Sequence, residues 1–327
     1  MSFEYLNQSN STDLIGGPNH FDNLYCFKFL DELAHQMSLK SSKPFQVKHE
    51  ILTPTPALIQ LNTAVQNINQ INSSYGWNMN LTEHTKVKKT AVFTLTKIQS
   101  ILQQKQWFDI LSINQHPAKQ QIHIFLNTVW NETRGFHSST EAERDNTVRT
   151  TLIREQCAEN GRIARRLLAK HSNLKITRLF GTYLMLGNFA QMELIRVEKE
   201  IVKLKTAFTS QLQMLNLDKL YCIQWRIQRT LSGMYYLNVL VYHDTQHSLV
   251  LPQDQSKLTH LIEKNEQQIL RLDLVIGNLQ HLTLGNEQNG ITHLEHWKVI
   301  FNNMLHPLRY YYYESRTVPT KFNSIIY

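Results

Sequence analysis

The chain has few cysteines and no long apolar runs, and each shortage excludes a class of protein. Cys26, Cys157 and Cys222 are its only cysteines, and their wide spacing matches neither a disulfide framework nor a zinc site. No apolar stretch approaches the roughly 18 residues that a membrane-spanning helix needs. Residues 1–14 also lack the basic region and apolar core of a signal peptide. We therefore expect a cytoplasmic protein with reduced thiols.

Several common catalytic motifs are also missing. The sequence contains no glycine-rich phosphate-binding loop, no serine nucleophile elbow and no Cys-x-x-Cys pair. The remaining metal-like clusters are His243-Asp244-Thr245-Gln246-His247 and the pair His293 and His296 on a predicted helix. Short His/Asp clusters often match metal motifs by accident, so we interpret the first cluster as a turn with exposed histidines. These residues predict no metal site and no cofactor.

Positive charge is in excess. Lys and Arg number 34 against 26 Asp and Glu, which gives a net charge of +8 and, for the whole sequence, a pI of about 9.3. Hydrophobic residues make up 42%, enough for a packed core, and the length suits about two domains. The charge favours a polyanionic partner, with nucleic acid ahead of a membrane surface. A generally basic soluble protein is the alternative, because net charge reports association and not fold.

Apolar residues recur at helical spacing through the first half of the chain. Helices are predicted over 21–37, 57–71 and 82–111, from Pro117 onward, and from a cap at Ser138 or Ser139 to about His171 with a break at Gly161. Residues 38–55, which are rich in proline, are predicted to be a connection. We therefore divide the chain into a flexible segment 1–20, a helical region 21–165 and an α+β domain 166–327.

The spacing changes at Leu174 from helical to alternating. Strands are predicted over 174–186, 220–229 and 234–242, with a helix over 191–215 between the first two. Within 220–229 the apolar and polar residues alternate, which predicts a half-buried strand. A helix from Gln253, a segment over 270–284 that suits helix or strand, and a last helix over 291–305 follow. This order predicts an α+β fold with a ferredoxin-like antiparallel sheet.

The centre of this domain resembles the YagK/YfjJ-type family of prophage proteins, relatives of the filamentous-phage replication initiators. Trp225, Arg226 and Gly233 stand where the family pattern expects them. Its glutamate position falls on Gln228, and its two histidine positions fall on Tyr235 and Leu237. The resemblance covers about residues 165–325. It implies an HUH-type domain whose site lies on the sheet face opposite the helices, where a metal assists attack of a tyrosine on DNA.

The three replaced positions imply a domain without the family's metal chemistry. Leu237 cannot bind a metal, Gln228 is a neutral ligand, and Tyr235 would first have to lose its proton. The nucleophile position falls on Tyr310, or on Tyr313 in a second register that puts Arg316 at the family's cation. The tyrosines otherwise suit a packing cluster or a stacking surface for bases. An active nickase with unrecognised ligands, which would need a divalent metal, is an alternative.

Cations that could bind phosphate lie on the predicted helix that ends near His171. Arg162, Arg165, Arg166 and Lys170 share overlapping faces, while Ile163, Leu167 and Leu168 point to the core. An ordinary solvated face would show the same pattern. Further candidates for DNA contacts are Arg226, Arg309 and Arg316.

Taken together, these residues predict a DNA-binding protein of a phage or mobile element. It would act on single- or double-stranded DNA, in replication or regulation, without metal-dependent nicking and without a membrane partner. A module that binds a phage or host protein is a further alternative.

Overall fold

The structure is a computed structural model that describes residues 18–63, 65, 84–103, 110–171, 174–185, 194–214, 220–230, 233–244, 270–275, 282–283 and 293–327. These residues form a helix-rich N-terminal half and a C-terminal antiparallel sheet. The architecture is therefore α+β, as predicted. Residues 1–17 of the predicted flexible segment and the predicted helix start at Gln253 lie outside the described residues. Among the described helices, none is long and apolar enough to cross a membrane.

The N-terminal half is built mainly from helices whose apolar stripes meet in one core. Its elements are α1 (Pro18–Ser38), β1 (Phe45–Lys48), β2 (Ile51–Pro54), α2 (56–63), β3 (Thr85–Val87), α3 (Lys89–Gln103), a 3₁₀ helix (Ile110–Gln115) and α4 (Lys119–His137). In α3, the regularly spaced Ala91, Leu95 and Ile98 are all buried. They share a core with Leu30 of α1 and Leu126 of α4, so the predicted stripe is confirmed.

Two pairs of strands lie where other structure was predicted. β1 and β2 form an antiparallel hairpin within the segment predicted to be a connection. Thr85–Val87 was predicted to be helical but pairs with β9 (Tyr311–Tyr313), near the other end of the chain. Local spacing could not reveal either pair. The hairpin strands are only 4 residues long, and the pairing of β3 depends on a partner that is distant in sequence.

The 31-residue helix α5 (Thr140–Lys170) links the two halves. Ser139 caps it by accepting a hydrogen bond from the Ala142 backbone N–H at 3.2 Å, which confirms one of the two predicted caps. The predicted break at Gly161 is wrong because the helix continues through this residue. A Cβ there would lie 3.4 Å from Cζ3 of Trp297, which places this glycine against the indole ring. The predicted boundary at 165 falls inside this helix.

The C-terminal half contains a six-stranded antiparallel sheet. Its strands are β4 (Leu174–Met185), β5 (Leu220–Arg229), β6 (Tyr235–Asp244), β7 (Leu270–Val275), β8 (Leu282–Thr283) and β10 (Asn323–Ile326). They lie in the order β10-β5-β6-β4-β7, and β8 also pairs with β4. The three strands predicted from Leu174 onward are adjacent, which confirms that prediction. Since β6 is antiparallel to both β4 and β5, those two run parallel with β6 between them.

Helix α6 (Leu194–Met214) connects β4 to β5 and covers one face of the sheet. Its buried stripe consists of Val197, Ile201, Leu204, Phe208 and Leu212. This stripe packs against Ile223, Trp225 and Ile227 of β5 and against Leu237 and Val239 of β6. The prediction of a helix across one sheet face is confirmed.

The second face of the sheet is covered by α5 and α7 (His293–Leu305). Leu167 of α5 and Phe301 of α7 pack with Leu240 of this face. Every residue over 222–229 is consequently buried, so the predicted half-buried strand and the predicted site face free of helices are both wrong. The covering helices come from segments distant in sequence, and alternation within one strand carries no information about them.

The polar side chains buried on this face form hydrogen bonds with one another. Gln224 Nε2 donates to Asn160 Oδ1 at 3.1 Å, and Trp297 Nε1 donates to the Tyr242 hydroxyl at 2.8 Å. The Tyr242 hydroxyl in turn donates to Gln224 Oε1. A chain of hydrogen bonds therefore crosses from α7 through β6 and β5 to α5, and it satisfies groups whose burial would otherwise be costly.

Arg149 of α5 is fully buried at the junction of the two halves. Its Nε and Nη2 donate to Asp145 at 3.0 and 3.1 Å. The same guanidinium donates to the carbonyl oxygens of Lys86, in β3, and Leu308, in the 3₁₀ turn His306–Arg309 before β9. One side chain thus bonds α5 to segments from both halves, which meet in a packed junction.

Candidate functional site

The three positions that the resemblance assigns to metal ligands do not face one another. Tyr235 and Leu237 alternate along β6 and point to the core that contains α6. Gln228 of β5 stands opposite Tyr236 in the register, so it points to the other face of the sheet. No single ion can contact all three side chains. The assignment of Gln228, Tyr235 and Leu237 to one degenerate metal site is therefore wrong.

Each of these side chains has an ordinary structural role. Gln228 Nε2 donates to the Tyr311 hydroxyl at 2.9 Å, and burial raises the pKa of that tyrosine. Leu237 is completely buried in the apolar core beneath α6. Tyr235 also lies in that core, with its hydroxyl directed at a carboxylate.

That carboxylate, Glu198 of α6, is buried and accepts three hydroxyl hydrogen bonds. Its Oε1 accepts from Tyr313 at 2.6 Å and from Tyr235 at 3.0 Å, and its Oε2 accepts from Ser315 at 2.8 Å. The guanidinium carbon of Arg229 lies 5.2 Å from the Tyr313 ring centre and 5.7 Å from that of Tyr235. The cluster brings together β6, β9 and α6, at one end of the sheet.

The cluster places the Glu198 carboxylate, a group that can act as a base, beside the phenols of Tyr235 and Tyr313. The surroundings of both phenols nevertheless oppose phenolate formation. Burial, followed by the hydrogen bond to Glu198, raises the pKa of Tyr313 to about 12. Burial likewise raises the pKa of Tyr235. Both phenols therefore keep their protons at neutral pH and act as hydrogen-bond donors. The arrangement stabilises the packing of β9 against the sheet.

Sequence reasoning did not single out Glu198, although a signal was present. Leu194, Glu198 and Ile201 are spaced by four and three residues, so the carboxylate lies on the stripe that faces the core. A charge at such a position indicates a buried partner.

Tyr310, the first candidate for a nucleophile, lies away from this cluster. It is buried in the N-terminal core, and its pKa is raised, first by burial. Its carbonyl oxygen accepts from the Lys88 backbone N–H at 2.7 Å, next to the β3–β9 pair. Tyr310 and Tyr313 thus belong to different cores and do not share one site.

The histidine cluster also differs from its prediction. His243 and Asp244 end β6 and are both buried, so the predicted turn with exposed histidines is wrong at these two residues. His243 Nε2 lies 2.8 Å from Thr177 Oγ1, and Nδ1 lies 2.8 Å from the Asp244 carbonyl oxygen. Residues 245–247 lie outside the described residues. Within the part of the chain that the structure describes, no group of three His, Cys, Asp or Glu side chains could hold a metal ion.

The basic face of α5 is where the sequence predicts it. Arg162, Arg165, Arg166 and Lys170 are all exposed, whereas Leu167 is buried. Ile163 and Leu168 are partly buried against the core below the sheet. Among the described residues, no carboxylate forms an ion pair with any of the four cations. Within the described part of the chain, the end of this helix therefore presents positive charge that is not in ion pairs.

The other three predicted cations do not join this face. Arg226 is buried, with Nε donating to the Thr320 carbonyl at 3.0 Å, so a direct contact with a DNA backbone is incompatible with its position. Arg309 is exposed but lies in the 3₁₀ turn that contacts Arg149, roughly 20 Å along α5 from the basic face. Arg316 is exposed next to Ser315, whose partner Glu198 belongs to α6 on the opposite sheet face.

Beneath α5 and α7, the sheet contains a further polar group that sequence reasoning did not single out. Arg178 of β4 lies beside Asn238 of β6, with Nη2 at 3.4 Å from Asn238 Oδ1. Asn238 stands directly opposite Arg226 of β5. The alternation of β4 and β5 places Arg178 and Arg226 on the sheet face covered by α5 and α7. Only the register of β4, β6 and β5 shows that the two arginines flank the same asparagine.

Comparisons of the chain with protein-family models, with curated proteins and with solved structures find no match.

Proposed function

We propose that this chain is a nucleic-acid-binding protein of a phage or mobile element that contacts phosphates through the end of α5. The function would lie in replication or regulation and would not involve metal-dependent nicking. The observation that carries the proposal is a set of exposed cations on one helix that form no ion pair with a described carboxylate: Arg162, Arg165, Arg166 and Lys170. A net charge of +8 adds a long-range attraction for polyanions.

The size of the basic face fits a short run of phosphates. From Arg162 to Lys170 the helix rises about 12 Å, which spans about three phosphates along one strand of duplex DNA. The helix backbone that carries these side chains packs on a sheet, so the backbone needs little ordering when the side chains bind. Each contact would release condensed counterions, so binding would weaken as the salt concentration rises.

An aromatic pair at the end of α5 suits contacts with unpaired bases. His171, which follows the helix, stacks on Tyr221 of β5 with ring centres 3.8 Å apart. Aromatic rings next to cations are the usual composition of surfaces that bind single-stranded nucleic acid. We therefore infer that single strands bind at least as well as duplexes.

The strand order supports the relationship to replication initiators that the resemblance implies. β4, α6 and β5 form a parallel unit split by β6, and β7 pairs with the far side of β4. This order is the one found in ferredoxin-like folds. Because Gln228 lies on the sheet face opposite Tyr235 and Leu237, the relationship is supported by the strand order and not by these three positions.

Binding titrations with fluorescent oligonucleotides test the proposal. We expect affinities in the micromolar range at low salt for the wild type, and a fall in affinity for Arg162→Gln/Arg166→Gln. The slope of log K against log salt should become shallower by about 0.7 to 0.9 per lost contact. The matched control is Lys199→Gln/Lys203→Gln, which removes two exposed cations from α6 on the opposite sheet face.

Two outcomes would contradict this function. The first is an absence of binding by the wild type even at low salt, and the second is an equal loss in the α6 control. Either would leave a protein-binding module as the better interpretation.

One observation favours a protein-binding module as the second candidate function: the β1–β2 hairpin exposes Val47 and Ile51, each more than half accessible. Val47→Ser/Ile51→Ser would then abolish capture of the protein partner.

A further inference from the structure

Two arginines, Arg226 fully buried and Arg178 partly exposed, flank one asparagine on the sheet face beneath α5 and α7. Arg226 of β5 stands opposite Asn238 of β6, and Asn238 stands opposite Phe180 of β4, two residues from Arg178. Alternation puts Arg178, Asn238 and Arg226 on the same face. Arg178 Nη2 lies 3.4 Å from Asn238 Oδ1, so its guanidinium reaches the central strand β6.

The hydrogen-bond partners of the two arginines are neutral wherever the structure describes them. Among the described residues, neither arginine forms an ion pair with a carboxylate. Arg226 donates to the carbonyl oxygens of Thr320 at 3.0 Å and Met304 at 3.4 Å. Arg178 Nε is buried and has no hydrogen-bond acceptor in the described part of the chain.

Burial acts on both guanidinium groups in the same direction. Desolvation lowers the pKa of Arg178 to about 10. It also lowers the pKa of Arg226 to about 10, against a smaller opposing effect of Tyr311. Both groups therefore stay charged at neutral pH while they lack the hydration that normally stabilises them. Arg149, a fully buried arginine of α5, has Asp145 as its partner.

We propose that this face binds an oxyanion, such as a phosphate group, against the guanidinium of Arg178 and beside Asn238, with Arg226 contributing a second positive charge behind the asparagine. A guanidinium fork matches the oxygens of phosphate, and the buried setting strengthens such bonds. The anion would approach along Arg178, which is partly exposed, whereas Arg226 is not. The phosphate could belong to a free ion or to a nucleic-acid backbone.

The first test is thermal unfolding of the full chain in inorganic phosphate against chloride of equal ionic strength. We expect the wild-type Tm to rise with phosphate concentration, because a ligand that binds only the folded state stabilises it. Arg178→Met should weaken the apparent phosphate affinity by about tenfold or more. In chloride this variant should unfold no earlier than wild type, because removing an uncompensated buried charge relieves its desolvation.

Arg149→Met is the matched control. It removes a more deeply buried arginine that has a carboxylate partner, so it should lower the Tm in both salts and keep the response to phosphate. The substitutions Arg162→Gln/Arg166→Gln should also keep the response. The phosphate site and the proposed nucleic-acid face can therefore fail independently of each other.

Asn238→Asp provides a second variant should Arg178→Met not fold. It places a carboxylate between the two arginines, where it should replace the ligand. We expect a higher Tm in chloride and no further rise in phosphate. A wild-type Tm that is equal in both salts would overturn the proposal, as would a lower Tm for Asn238→Asp in chloride.

The same measurement separates the two sources of phosphate. A nucleoside monophosphate and a dinucleotide with one phosphodiester are compared at equal concentration. Stabilisation by both would assign the site to a nucleic-acid backbone, and stabilisation by the monoester alone would assign it to free or terminal phosphate. Stabilisation by inorganic phosphate that persists unchanged in Arg178→Met would overturn the site in either form.

Discussion

The Tyr313 hydroxyl donates to Glu198 Oε1 at 2.6 Å, and both side chains are buried. Tyr313 precedes the C-terminal strand β10, and Glu198 lies in the helix that connects β4 to β5. The hydrogen bond therefore fixes the segment before β10 to α6, at one end of the sheet. It also assigns a tyrosine of the four-tyrosine run to a structural role, since its proton is held by a buried carboxylate.

Replacing Glu198 should destabilise the fold strongly. Glu198→Ala leaves the buried hydroxyls of Tyr235 and Tyr313 without their acceptor, so we expect a loss of about 3 kcal/mol in the free energy of unfolding. Tyr313→Phe removes one donor and should lose about 1.5 kcal/mol. Urea denaturation measures both. Glu200→Ala, two residues along the same helix, removes only an ion pair with the exposed Lys203 and should change stability by less than about 0.5 kcal/mol. Equal effects at 198 and 200 would contradict the burial of this cluster.

Two helical glycines should differ in how they accept a larger side chain. Gly135 in α4 has nothing within 4 Å of a built Cβ, so Gly135→Ala should stabilise the protein by up to about 1 kcal/mol. Gly161→Ala brings Cβ to 3.4 Å from the Trp297 ring, an ordinary contact, and should also be tolerated. Gly161→Leu should lose about 2 kcal/mol because the added atoms displace the indole. Thermal unfolding checks the series, and a tolerated leucine at 161 would contradict the packing of α5 on α7.

The tip of the β1–β2 hairpin is strained. His49 and Glu50 both have positive φ, 49° and 63°, the left-handed conformation in which side chains other than glycine are disfavoured. A two-residue hairpin turn in which both central residues have positive φ favours the sequence Asn-Gly. Glu50→Gly should therefore raise the free energy of unfolding by about 0.5 to 1 kcal/mol, measured by urea denaturation. Glu50→Ala is the control and should give no such gain, since alanine retains the steric cost.

Restoring the family's ligands should not create a metal site. The triple variant Gln228→Glu, Tyr235→His and Leu237→His places the carboxylate on one sheet face and the imidazoles on the other. We expect no gain in affinity for Mn²⁺ by calorimetric titration, together with a loss of stability from polar groups introduced into the core. A micromolar Mn²⁺ site in this variant would mean that the three positions do converge.

The wild-type chain is expected to form no covalent adduct with labelled single-stranded DNA in Mg²⁺ or Mn²⁺. Tyr310 and Tyr313 are buried with raised pKa values, and neither lies beside a metal-binding cluster among the described residues. An adduct that disappears in Tyr310→Phe or in Tyr313→Phe would contradict this expectation and favour the nickase alternative.

The sequence by itself determined where helices and strands lie wherever a segment is long and regularly spaced. The stripe of α6 and the alternation of β4 and β5 required only local spacing, because burial of one side selects residues at intervals of 3.6 or 2. The exposed cations of α5 followed from the same rule.

The tertiary structure alone decided what covers the sheet and which side chains meet. Gln224, Arg226 and Gln228 form a polar row that by itself predicts an exposed face, but α5 and α7 bury it. The register of β5 against β6 separated Gln228 from Tyr235 and placed Asn238 between two arginines. A shift of one residue in the register moves every side chain of the strand to the opposite face of the sheet. The register depends on pairing with segments far apart in the chain, and a local sequence pattern contains no information about them.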